Sequence, residues 1–218
     1  MTAVESRSAE RSTMVAGLGR LDRRIAGAML AVRRHAFVPR ASAPFAYDDE
    51  PLALGYGEAT ISAPSMVALM LEAVDLRAGE RVLEVGGGMG YLAALLAELV
   101  GPAGRVYAVE IDAALAREGE RRLAAEGYAD RVHVFARDGS AGLPELAPFD
   151  AVVVSCAATE ILPAWKEQVR DGGRVVAPVG DRWQQLLLTY TRTGAHGSLR
   201  KGPACRFVPL RRAPAPHI

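Results

Sequence analysis

Between residues 81 and 177 five short apolar runs recur, at 81–85, 106–110, 132–135, 151–154 and 174–177. Helical patterns fill most of the intervals, over residues 91–99, 113–125 and 165–169. Few arrangements absorb that order except a mostly parallel sheet covered by helices, because each strand must cross over before it can pair in parallel. Further on, residues 185–191 and 206–210 read as strands with no helix between them, and are expected as antiparallel additions at one edge. The expected fold class is therefore α/β: a Rossmann-like, doubly wound, mostly parallel sheet with helices on both faces and antiparallel C-terminal edge strands.

The chain has 218 residues, half of them hydrophobic, which suits one sizeable core. Residues 1–13 are polar and rich in Ser and Arg, and are expected as a flexible tail. A single domain over 14–210 follows, with a helical and loop-rich region at 14–76 and the α/β core at 77–210; residues 211–218 read as a second tail. Val15, Leu18, Leu21, Ile25, Met29 and Val32 recur at threes and fours, the mark of one broken or two short helices. A glycine-rich loop at 55–64 leads into another helix over 65–74.

Lys and Arg number 26 against 25 Asp and Glu, a balance that gives no support to a surface built to neutralise phosphates, so no nucleic-acid partner is expected. Cys156 and Cys205 form no CxxC pair, which points to a reducing compartment. No apolar run reaches the length of a membrane span, and the expected setting is cytoplasmic, with no membrane partner. No pair of His35, His133, His196 and His217 has ligand spacing, so no metal site is expected.

Chemistry concentrates at the ends of the first three core strands. Gly86, Gly88 and Gly90 follow the first and precede a helix, where glycine permits sharp turns and close approach of backbone to a ligand. Glu110 ends the second strand, at the distance where an acid accepts ribose hydroxyls, and Asp138-Gly139 follows the third, where a side chain or backbone group meets an adenine amino group. Together they predict a nucleoside site. Counted from Gly88, the glycines and Ala93 also satisfy the dinucleotide pattern, so NAD stays open on spacing alone. Glu84, two residues before the first glycine, gives the E-x-G-x-G-x-G arrangement typical of methyltransferases, in which the loop faces a methionine rather than a pyrophosphate.

Several further segments resemble the protein-L-isoaspartate O-methyltransferase family. They are Val32-Arg33-Arg34-His35-Ala36-Phe37-Val38-Pro39, Ala46-Tyr47-Asp48-Asp49-Glu50-Pro51-Leu52, Ala59-Thr60-Ile61-Ser62-Ala63-Pro64-Ser65-Met66, Ala147-Pro148-Phe149-Asp150-Ala151, Gly172 to Gly180 and Arg206-Phe207-Val208-Pro209-Leu210. The resemblance runs from about residue 14 to residue 210. It implies a cytosolic enzyme that uses S-adenosylmethionine, releases S-adenosylhomocysteine, and methylates the carboxylate of isoaspartyl residues in damaged proteins. It also implies Ser62 beside donor and acceptor; Glu84, Gly86, Gly88, Gly90, Glu110, Asp138 and Gly139 around the cofactor; and Tyr56, Thr60, Ile61, Ser62, Ser155 and Arg206 on the acceptor side.

Departures from the family pattern fall mainly on the acceptor side. Glu58-Ala59 stands where many members have a single Gln, Gly87 and Met89 replace interleaved hydroxyl residues, Arg137 precedes Asp138, and Ser155-Cys156-Ala157-Ala158-Thr159-Glu160 replaces an alanine-rich stretch. These motivate an alternative acceptor, a small di- or hydroxy-carboxylic acid or a peptide natural product in specialised metabolism; an acceptor with two acidic groups would suit a pocket holding Arg206 and Arg137. A carboxylate, with a pKa of about 4, is already ionised at neutral pH and needs no base. Its methylation is an in-line displacement in which the protein holds the reactants in place. Ser62 is the candidate for orienting that carboxylate, or for capping the helix before Ala63-Pro64. Glu84 contacts the donor's amino group or bonds within the loop, and Tyr56 and Arg206 meet other polar groups of the acceptor, unless Arg206 joins a surface ion pair.

Overall fold

The computed structural model describes residues 3–213. Residues 1–2 and 214–218, which include His217 and part of each expected tail, lie outside the described residues. Where a tail was expected at 1–13, helix α1 runs over Ala3–Gly17. It has no strong apolar stripe to announce it; Ser6 and Arg7 bond Glu10 along one face, and Met14 and Val15 bury themselves at its end. Helix α2 covers Arg23–Ala31, started by Asp22, whose carboxylate accepts from the Arg24 N–H.

A small hairpin comes next, in which β1 (Leu52–Ala53) pairs antiparallel with β2 (Thr60–Ile61). Gly55 and Gly57 take positive φ in its turn, so the longer Glu58-Ala59 segment is absorbed at the hairpin tip. Helix α3 (Pro64–Val74) opens with proline in its first turn and leads to the sheet.

Seven strands form that sheet: β3 (Arg81–Val85), β4 (Arg105–Glu110), β5 (Val132–Ala136), β6 (Phe149–Val154), β7 (Val169–Gly180), β8 (Gln185–Thr193) and β9 (His196–Cys205). Their spatial order is β5-β4-β3-β6-β7-β8-β9, parallel through β7 and antiparallel for the last two pairings. The expected fold class is thus what the chain adopts, including antiparallel strands at the C-terminal edge. One detail differs: the final strand is His196–Cys205, and residues 206–210 run extended beside the loop after β6, joined to it by a bridge between Ala157 and Pro209. Strand β9 is exposed along its length, so no alternation of apolar residues marks it in the sequence.

Both faces of the central strands are buried. Val82, Val106, Ala108, Ala151 and Val153 point into one core, filled by helices α2, α3, α4 (Tyr91–Val100) and α5 (Ala113–Ala125). Leu83, Val85, Val109, Val152 and Val154 point into the other, closed by Trp165 of helix α6 (Pro163–Gln168). Alternation with period two explains the assignment of each residue to its face. On β7, Arg174 donates to the Val74 and Asp75 carbonyls at the end of α3 and pairs with buried Glu80 at 2.7 Å, fixing α3 to the sheet.

Candidate active site

The order of strands reverses at β3, with β4 on one side and β6 on the other, and the carboxyl ends there open a crevice. Three turns meet in it. In the first, Gly86, Gly88 and Gly90 have φ of +91°, +54° and +92°, the left-handed conformation that side chains resist, while Gly87 and Met89 between them do not. This explains why the glycines alternate and why replacing the interleaved hydroxyl residues leaves the backbone path intact. The N–H groups of Gly86 and Gly87 donate to the Val109 carbonyl at 2.8 and 3.0 Å, which ties the loop to β4. A Cβ on Gly119 of α5 would lie 2.6 Å from the Gly88 oxygen. That close approach makes Gly119 a supporting residue that sequence reading missed, because a glycine inside a helix carries no signal of what packs against it.

In the second turn, Glu110 is buried and held at both ends. One oxygen accepts from the Gly88 N–H at 3.1 Å and the other from the Asp112 N–H at 3.0 Å, so each retains a lone pair for a further donor. Asp112 in turn accepts from the Ala114 and Leu115 N–H groups and starts α5.

Glu84 sits behind the loop, 1% exposed, with its Oε2 lacking any hydrogen-bond partner. Burial, and then the neighbouring charge of Glu110, raise its pKa well above the usual carboxylate range. An acid left without a partner inside a folded chain is costly unless something arrives to meet it. In the third turn, Gly139 lines the crevice, where a Cβ would collide with Val85 at 2.6 Å. Asp138 stands behind it: burial raises its pKa, but the N–H groups of Ser140 and Ala213 outweigh that and hold the carboxyl below its ordinary value. Each Asp138 oxygen thus accepts one N–H from the chain, and of the two residues it is Gly139 that lines the cavity.

Two connected cavities follow from this geometry. The larger is lined by Gly86, Gly88, Glu110, Asp112, Leu115 and Gly139 on the sheet side and by Leu54, Tyr56, Glu58 and the segment 208–211 opposite. Cys156 also borders it, with burial and then the charges of Glu110 and Asp138 pushing its thiol up to about 12, so it stays protonated and inert. Glu84, Gly86 and Gly88 line the inner cavity together with Ile61, Ser62, Tyr91 and Ser155. Gly90 faces neither; it lies against Leu123 and starts α4.

Ser62 and Ser155 border both the inner cavity and an outer pocket that contains Thr60, Met66, Arg206 and Phe207. The Ser62 hydroxyl makes no hydrogen bond, because the cap of α3 is Ala63 and the Ser65 N–H is taken by Asp49 at 2.8 Å. The Ser155 hydroxyl is buried and also without a partner. Arg206 is exposed and joins no ion pair, whereas Arg137 pairs with Glu145 at 2.6 Å, away from the pocket. Thus Thr60, Ser62 and Ser155 lie where the two spaces meet, with Ile61 on the inner side and Arg206 on the outer, while Tyr56 borders the larger cavity with Glu110. Leu54 was not legible as lining, whereas the C-terminal segment, which the family resemblance places over the acceptor, reaches the larger cavity through long-range pairing: the Ala157 N–H donates to the Val208 carbonyl and the Leu210 N–H to that of Ala157. Among the described residues no group of three or more His, Cys, Asp or Glu side chains is placed to hold a metal ion, and no helix is long and apolar enough to cross a membrane.

The sequence model of the family described as Protein-L-isoaspartate(D-aspartate) O-methyltransferase (PCMT) matches residues 15–214. A protein-L-isoaspartate O-methyltransferase of Methylorubrum populi is 49% identical over 202 residues, covering 92% of each chain. That of Hyperthermus butylicus is 46% identical over 192 residues, covering 84% of this chain and 79% of the relative. A solved protein-L-isoaspartate O-methyltransferase superposes with a TM-score of 0.83 at 30% identity, covering 91% of this chain and 65% of the other.

Proposed function

The chain belongs to the protein-L-isoaspartate(D-aspartate) O-methyltransferase family of S-adenosylmethionine-dependent carboxyl methyltransferases, and from that membership we propose that it methylates the free carboxylate of isoaspartyl residues in proteins and peptides, the α-carboxylate left when the chain runs through the β-carboxyl. The observation that carries the reading is the meeting of two spaces at Ser62: the inner cavity with Glu84 and the glycine loop behind it, and the outer pocket with Arg206 and Phe207 in front.

The residues of the two connected cavities fit the methyl donor. In the larger one Glu110, fixed by two N–H groups, has lone pairs free for a ribose diol, and Gly139 lines the same space on the side of a base. Glu84, buried and lacking a partner on one oxygen, fits an ammonium group such as the donor's. Bound there, S-adenosylmethionine supplies a methyl group on a sulfonium, open to displacement by a carboxylate oxygen.

The chain's own part is to hold that oxygen in line and exclude water. Ser62, whose hydroxyl is uncommitted, donates to one oxygen of the acceptor carboxylate and leaves the other free to attack. Ser155 supplies a second hydroxyl at the same junction. Arg206, on the rim, meets a carbonyl or carboxylate of the acceptor's backbone. No proton has to be removed, which agrees with a junction offering hydroxyls and no imidazole. A small-acid acceptor draws no support from the relatives, which carry the isoaspartate name.

Labelled donor and an isoaspartyl peptide test the bond formed. An ester on carboxylate is expected, so mild base should release the label as methanol. Label stable to base would mean methyl transfer to nitrogen or a phenol and would overturn the reading.

A further inference from the structure

The acceptor pocket does not end at Ser62. Thr60, Arg206, Phe207 and Val208 line both that pocket and a wider groove that continues past Ala157 to the turn between β7 and β8. Three guanidinium groups border this groove: Arg206 at the end shared with the acceptor pocket, Arg182 on the β7–β8 turn and Arg212 on the C-terminal segment. All three are exposed, and among the described residues none has a carboxylate within ion-pair distance, Arg212 acting on Asp138 only from further away.

Some arginines are paired, as in Arg33 with Glu126, Arg122 with Glu118 and Arg174 with Glu80, while among the described residues Arg20, Arg40 and Arg77 are exposed singly. What sets the three groove arginines apart is that they border one groove continuous with the acceptor pocket. Two acids share the groove's walls. The Asp181 carboxylate is folded back onto the N–H groups of Trp183 and Gln184, at 2.7 and 2.8 Å, and Glu58 belongs to the hairpin wall that the groove shares with the cofactor cavity. Three guanidinium groups against the Asp181 and Glu58 carboxylates leave the groove's lining net positive. Beside Arg182 stands Trp183, 79% exposed, with the guanidinium stacked 5.3 Å from its ring. The turn thus offers a cation and an apolar plate together.

We propose that this groove reads the residues flanking the acceptor and selects acidic side chains there, with Arg206 serving the nearest position and Arg182 and Arg212 those further along. This rests on the isoaspartyl reading and refines it into a substrate class: damaged sites in acidic sequence contexts. Cations that border one groove without ion-pair partners raise its potential and favour a carboxylate-bearing chain laid along it. Exposed pairs of this kind change binding by up to about fivefold each. Two of them give an effect of roughly tenfold, screened by salt.

The test uses isoaspartyl peptides of one length with Glu, Gln or Lys at the flanking positions, assayed with the full chain at low and high salt. kcat/KM should fall in the order Glu, Gln, Lys, with about a tenfold gap between Glu and Gln that resides in KM and narrows with salt. In the Arg182→Gln/Arg212→Gln double variant the Glu peptide should lose most of its advantage over the Gln peptide. Equal kcat/KM for the three peptides, or a Glu preference that survives the double variant, would overturn the proposal and leave the isoaspartyl reading standing. Failure to methylate any isoaspartyl peptide would strike that reading instead, and this proposal with it.

Discussion

Ser62 has a hydroxyl with no partner among the described residues and, with Thr60 and Ser155, borders both the inner cavity and the outer pocket. Replacing it with alanine removes a group that acts on the acceptor alone. Ser62→Ala should lower kcat by about tenfold to a hundredfold while donor affinity, read by calorimetry, changes by less than about twofold; equal losses in both would place the hydroxyl on the donor. Glu84 behaves oppositely. Its folded pKa is raised, so above about 4.3 the native state binds a proton that the unfolded chain has released, and stability falls as pH climbs through that window. Glu84→Gln cannot ionise. It should flatten this slope in urea titrations of the donor-free protein and weaken donor binding at least about tenfold. Donor binding to the unaltered protein should release a proton within the same window, because an ammonium beside Glu84 lowers its pKa; calorimetry in buffers of different ionisation enthalpy reads this directly. Of these residues the three glycines and Glu110 were legible, since a strand followed by alternating left-handed positions leaves a visible pattern. The division of labour between Asp138 and Gly139 was not, because it depends on an N–H from Ala213, seventy-five positions away.

At the scale of elements, the site depends on joints between α3, β3 and β7. Arg174 and Glu80 form the strongest of them, with Glu80 nearly buried and its second role an N–H bond from Arg77. Removing one partner of such a pair leaves the other charge buried and unpaired. Glu80→Ala should therefore cost roughly 3 kcal/mol in chemical denaturation. Since Glu80 lines neither cavity, kcat of the folded fraction should change little; a large loss of kcat with unchanged stability would mean that the joint serves catalysis instead. The core strands could be read in advance because parallel strands buried on both faces become continuous apolar runs. Helix α1 and strand β9 could not: one is polar over most of its length, and the other is an exposed edge held by pairing with β8. Extended residues 206–210 resembled a strand for the same local reasons that strands do, yet their partner is a loop.

Across the whole molecule, one edge of a seven-stranded sheet collects one wall of the candidate site: the glycine loop after β3, Glu110 after β4, Gly139 after β5 and Ser155 after β6. The N-terminal region contributes the opposite wall through the hairpin and Ser62, and the C-terminal segment closes the rim. The loop from 155 to 160 departs from the family's alanine-rich stretch, but it retains its place between β7 and the C-terminal segment. Its substitutions therefore alter what lines the acceptor pocket and leave the path of the chain in place. The central claim, that this pocket presents an isoaspartyl carboxylate to the donor, is tested most directly by competition. A peptide with one isoaspartyl residue and the matching aspartyl peptide, mixed with limiting labelled S-adenosylmethionine, should yield label almost wholly in the isoaspartyl peptide. Label divided equally between the two, or in neither while the protein still binds the donor, would contradict the account.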